Sequence, residues 1–160
     1  MKQISGGATA ARGFLASGIH CGIRKNKSKR DLMLLKADCM CNAAAIYTQN
    51  LVKGAPILVT REHLADGKAQ AVICNSGNAN TCNADGVEKA RAMAQIAAKV
   101  AGVKEQDVIV ASTGVIGQVL PIEPIEAAAG ELAAGLCKEG GTLAAEAIMT
   151  TDTVKKEFAL

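Results

Sequence analysis

Ala71-Val72-Ile73-Cys74-Asn75-Ser76-Gly77-Asn78-Ala79-Asn80-Thr81-Cys82-Asn83 is the stretch on which the fold turns. Its first four residues are wholly apolar and read as a short buried strand. The next nine are rich in Asn, Ser and Gly, the residues of Asx turns and tight loops. Asp85-Gly86-Val87-Glu88 then has the form of a capping box with Asp in place of Ser or Thr, opening a helix expected over residues 86–101. Met93, Ile96, Ala97 and Val100 recur along it at helical spacing. Asp107-Val108-Ile109-Val110-Ala111 is a second buried strand, running into Ser112-Thr113-Gly114. Strands interleaved with helices, with polar segments at the strand ends, make the chain an α/β (α+β) protein that carries its chemistry in those segments.

Outward from this unit the signals are shorter. Residues 13–23 mix glycine with short apolar stretches, as a hairpin with close backbone approach does, and break into Arg24-Lys25-Asn26-Lys27-Ser28-Lys29-Arg30, expected to be a solvated turn between strands. Leu32-Met33-Leu34-Leu35 reads as a buried strand and Ala43-Ala44-Ala45-Ile46-Tyr47 as a second short element. A helix is expected over 55–64, with Pro56 near its start and His63 on its surface. After Pro121 and Pro124 a further helix presents Ile125, Ala128, Ala129, Leu132 and Leu136 on one side. Residues 144–149 make a short third one, leading to a strand near Val154.

Composition narrows the function. Of 160 residues, 30 are Ala and 16 Gly, while Phe14, Tyr47 and Phe158 are the only aromatics. Small side chains let helices sit close to a sheet, and no aromatic platform exists for stacking bases. Eighteen basic residues against fifteen acidic give a formal charge of +3, too small for a dedicated polyanion binder. Neither nucleic acid nor membrane is an expected partner: no apolar run approaches the roughly 18 residues of a membrane span. The first fourteen residues lack a signal peptide's apolar core, so a cytoplasmic location is expected. The six cysteines, Cys21, Cys39, Cys41, Cys74, Cys82 and Cys137, are then expected to be reduced and mostly buried. Cys39 and Cys41 form a C-x-C without a histidine cluster, so no metal is expected.

Three polar clusters remain. In Ser112-Thr113-Gly114-Val115-Ile116-Gly117 a glycine after a hydroxyl residue, just past a strand, lets backbone amides point into a cleft, which suits an oxyanion or a phosphate as well as a plain tight turn. The Asn-rich segment 75–80 either binds a polar ligand or satisfies its own loop. Met149-Thr150-Thr151-Asp152-Thr153 gathers three hydroxyls and a carboxylate after a helix.

Together with Gly18-Ile19-His20-Cys21-Gly22, these clusters in this order resemble the first part of the ornithine acetyltransferase family, the glutamate N-acetyltransferases of arginine biosynthesis. The resemblance runs over nearly all 160 residues as one domain of a larger self-cleaving enzyme. It implies a layered sheet-helix sandwich related to the self-cleaving aminopeptidases. It implies a precursor that cuts itself, leaving on its second (β) chain an N-terminal threonine that takes the acetyl group from N-acetylornithine and hands it to glutamate. By the same resemblance Thr113 and Gly114 form the oxyanion hole, while Thr150, or its neighbour Thr151, contacts substrate. No cofactor is implied, acetyl-CoA being a possible co-substrate that these motifs leave open. Two first and two second chains are expected to assemble. The family's cleavage segment does not occur within these residues, so the chain alone is expected to lack the nucleophile and be inactive. A non-catalytic module holding a small anionic metabolite is the alternative, and a nucleic-acid binder using residues 24–30 a third.

Overall fold

A computed structural model describes residues 2–160. Four strands form one sheet in the order β1-β2-β3-β4: β1 (Phe14–Ile19), β2 (Leu32–Asn42), β3 (Lys68–Asn78) and β4 (Val108–Val115). β1 pairs with β2 and β2 with β3 antiparallel, whereas β3 and β4 run parallel. The parallel pair is joined by α2 (Gly86–Ala101), because parallel neighbours need a crossover. The remaining helices are α1 (Ala55–His63), α3 (Glu123–Ala134) and α4 (Gly141–Ala147).

Alternation along the strands sorts the two faces. Leu32, Leu34, Ala71, Ile73, Val108 and Val110 are fully buried and form one core with Val59 of α1, Met93, Ala94 and Ala97 of α2, and Ile125 and Leu132 of α3. α2 buries five alanines, so its backbone lies close to the sheet, where alanine's single methyl sets the spacing. The opposite face carries Ala16, Met33, Leu35, Val72 and Ile109, and α4 packs there against β1 and β2. That contact depends on Gly18, since a Cβ there would collide with the Leu143 carbonyl.

Several local expectations are revised. The Asn75–Asn78 and Ser112–Val115 segments are not loops but the last residues of β3 and β4. Residues 43–47 form neither helix nor strand, and no strand forms near Val154. Asp85 precedes α2 without a side-chain capping bond; Asn80 Nδ2 instead donates to Gly86 O at 2.8 Å. His63 is buried, its Nδ1 donating to Val108 O at 2.8 Å, because α1 lies along β4. All six cysteines are free thiols, but only Cys74 is buried, and Cys39 and Cys82 are exposed. No helix among the described residues is long and apolar enough to cross a membrane.

Candidate functional site

The parallel pair ends in a break of register. Ser76 pairs with Thr113 and Gly77 with Gly114, after which Asn78 faces both Thr113 and Val115. Gly77 has φ +98° and Gly114 φ +137°, conformations that L side chains rarely adopt. Successive residues point to opposite faces. Ser112 Oγ therefore turns to Met93 of α2, 3.9 Å away, and Thr113 takes the other face, in line with Ser76, whose hydroxyl donates to Ala147 O at the end of α4 at 2.6 Å.

On that face a cleft of about 630 Å³ opens, lined by Arg24, Gly77, Thr113, Gly114, Thr150 and Thr151, with Ile23, Lys25, Asn26, Val115 and Gln118 at its walls. The four candidate residues from the sequence, Thr113, Gly114, Thr150 and Thr151, thus share one cavity although nearly forty residues separate the two pairs. Thr150 N donates to Asp152 Oδ2 at 3.3 Å, and Lys156 pairs with the same carboxylate. The lysine and the Thr150 amide hold the Asp152 carboxyl below its usual range. Cleft and carboxylate brace are therefore fixed by one short turn.

The Asn-rich segment frames this cleft rather than lining it. Asn75 Nδ2 donates to Asn78 O, Asn78 Nδ2 to Gln118 O and Val119 O, and Asn83 Nδ2 to Gln118 O, all within 2.7–3.2 Å. Asn78 Oδ1 accepts from Asn80 N at 2.8 Å. These amides hold the segment after β4 in place, so the segment satisfies its own backbone.

Sequence reasoning missed Arg24. Residues 24–30 were expected to be a solvated turn, yet Arg24 Nη2 donates to Met149 O, next to Thr150, and its stem lies over Gly77, where a Cβ would stand 2.9 Å from Arg24 Cγ. Asp31, fully buried, anchors the start of the turn by accepting from Cys21 N at 2.6 Å, Gly22 N at 3.3 Å and Arg24 N at 2.8 Å. The charge run itself was the only local hint. Burial, with Asp31 beside it, pushes the Cys21 thiol up to about 12, which removes it as a nucleophile near neutrality.

Known proteins match this arrangement. The ArgJ family model matches residues 15–160. The arginine biosynthesis bifunctional protein ArgJ of Symbiobacterium thermophilum is 47% identical across 99% of this chain, and that of Caldanaerobacter subterraneus is 45% identical across 98%. The chain spans 40% and 38% of the length of these two relatives. The crystal structure of ArgJ from Bacillus halodurans superposes with a TM-score of 0.90 at 39% identity, covering 98% of this chain and 83% of that one. An ornithine acetyltransferase from Mycobacterium tuberculosis, solved with ornithine, gives 0.89 at 36%, covering 96% and 84%. Motifs, fold and relatives agree over almost every residue, and the chain belongs to the ArgJ family.

Proposed function

We propose that this chain supplies the oxyanion hole and part of the substrate pocket of a transacetylase that moves an acetyl group from N-acetylornithine to glutamate in arginine biosynthesis. The observation that carries the reading is the convergence of Thr113, Gly114, Thr150 and Thr151 on one cleft. The relative solved with ornithine supports the substrate class.

In acyl transfer the carbonyl oxygen of the attacked group gains negative charge, and donors fixed beforehand at that point lower the barrier without reorganising. Gly114, exposed at the end of β4, offers its backbone N–H, and Thr113 its hydroxyl, to this oxygen. The turn braced by Asp152 presents Thr150 to the amino-acid part of the substrate. An N-terminal threonine on a second chain, freed by self-cleavage outside residues 1–160, is the nucleophile; its own α-amine, with a pKa of about 7.7–8.0, serves as base. Residues 1–160 alone are inactive on this reading, and two first and two second chains assemble in the cytoplasm. The reaction needs no cofactor, and acetyl-CoA is a second acetyl donor to be assayed beside N-acetylornithine.

Thr113→Ala in the full-length enzyme tests the assignment. Loss of one oxyanion donor lowers kcat by about 10²–10³-fold with KM for N-acetylornithine little changed. An unchanged kcat rejects the role.

A further inference from the structure

The basic turn is only partly used by the acyl-transfer cleft. On its other side lies a second cavity of about 320 Å³, lined by His20, Arg24, Lys27, Lys29 and Arg30, with Glu146 across from them. Glu146 is already 3.3 Å from Arg30 Nε. Lys27 and Lys29 make no ion pair among the described residues. Asp31, the other acid nearby, is fully buried and bonded to backbone amides. Even with both carboxylates counted, four cations face two anions.

The wall is also organised in advance. Asn26 Oδ1 accepts from Ser28 N at 3.0 Å and from Ser28 Oγ at 2.7 Å, and Lys29 N donates to Asn26 O at 3.1 Å. His20 Nδ1 donates to Lys29 O at 2.9 Å, tying the turn back to the end of β1. Arg24 enters from the cleft side with Nη2 on Met149 O and with Nε buried and without an acceptor. A concave wall with surplus cations lacks an anion.

The charge selects the kind of anion. One carboxylate would leave part of the excess unbalanced, whereas a phosphate ester carries about −1.5 to −2 at neutral pH and three acceptor oxygens. Arginine and lysine together suit it, the one by directed donors and the other as a point charge. We infer that this cavity is a binding site for a phosphate group, held either as free phosphate or as the phosphate end of a small molecule. Its volume exceeds one phosphate and falls at the low end of small-molecule sites, roughly 300–1,000 Å³. Because Arg24 lines both cavities, a larger phosphorylated molecule seated here would extend toward Thr113 and Thr150.

Isothermal titration of the full-length protein, at constant ionic strength in chloride and with no acetyl donor or acceptor present, tests this independently of turnover. Inorganic phosphate and ADP are the two probes. At least one binds with a Kd below 1 mM, and the double variant K27Q/K29Q weakens it at least 10-fold. The control K99Q/K104Q removes the same charge elsewhere and changes the Kd less than twofold. ADP binding at least 10-fold tighter than phosphate identifies the phosphorylated small molecule, and a smaller difference identifies free phosphate. The inference is overturned if neither probe binds below 1 mM, if K27Q/K29Q weakens binding less than 10-fold, or if the control weakens it as much.

Discussion

Gly114→Ala probes the point where sheet geometry meets the candidate chemistry. A Cβ on Gly114 would stand 2.5 Å from Asn78 N and 2.7 Å from Gly77 O, where ordinary contact begins at 3.4 Å. With Gly77 C nearer still, at 2.4 Å, the ends of β3 and β4 would have to part by roughly 0.7–1.0 Å. Overpacking of this kind costs about 1–3 kcal/mol, and a non-glycine residue at φ +137° adds about 1–3 kcal/mol. The sum, about 2–6 kcal/mol, is a large part of a typical stability of about 5–15 kcal/mol. Gly117 provides the internal control: it has φ +79°, but no heavy atom lies within 4 Å of its would-be Cβ. Gly117→Ala therefore bears only the backbone cost, about 1–2 kcal/mol. With a urea slope of about 1–3 kcal/mol per molar, a 3 kcal/mol gap separates the two midpoints by about 1–3 M. Unfolding in urea followed by far-UV circular dichroism measures this directly. Equal midpoints would refute the close approach of the two strands and with it the placement of Thr113 beside Ser76.

Asp31→Ala leaves the amides of Cys21 and Arg24 without their acceptor in a buried position, and should cost about 2–5 kcal/mol by thermal or urea unfolding. Asp31→Asn, which keeps one acceptor oxygen, should recover part of that loss; a cost under 1 kcal/mol for the alanine variant contradicts the anchoring role. Burial pushes the thiols of Cys21 and Cys74 up to about 12, so their thiolate fraction at pH 8 is about 10⁻⁴. Mass spectrometry after brief iodoacetamide treatment should find exposed Cys82 alkylated and these two spared, and equal labelling in the folded protein rejects the burial. The same shift works against stability at high pH. Unfolded thiols ionise near 9.0 and folded ones near 12, so unfolding releases protons in that window and Tm should fall as pH rises through it.

What could be read from the sequence was whatever is encoded by neighbours along the chain. The β3-α2-β4 unit was legible because its apolar runs are bounded by turn formers and because α2 repeats its buried positions at helical spacing. The ends of its strands were not, since Asn75, Ser76 and Ser112 look like loop residues while ladder bonds come from the backbone whatever the side chain. His63 is buried for a reason 45 residues away, the carbonyl of Val108, which no local pattern reports. Arg24 is the same case at longer range, with its partner Met149 lying 125 residues further on. Residues 43–47 show the opposite error: an apolar stretch with no partner strand, in which Ile46 is fully exposed.

The polar motifs divide into a frame and a working set, and the division follows from hydrogen-bond demand. A ligand that recruited the side-chain amide nitrogens of Asn75, Asn78, Asn80 or Asn83 would have to break bonds that hold the ends of β3 and β4 and the start of α2. Each buried group left unpaired in this way costs about 1–3 kcal/mol. Those side chains are therefore poor ligand contacts despite their density. The hydroxyls of Thr113, Thr150 and Thr151 take part in none of these bonds, and the glycines at 77 and 114 leave backbone accessible between them. Asparagine is spent on holding irregular backbone at the end of a parallel pair, and threonine with glycine is what remains to meet a substrate in the proposed reaction. On that division Asn78→Ala should act mainly through stability and Thr113→Ala mainly through kcat, a split that measuring both quantities on both variants resolves.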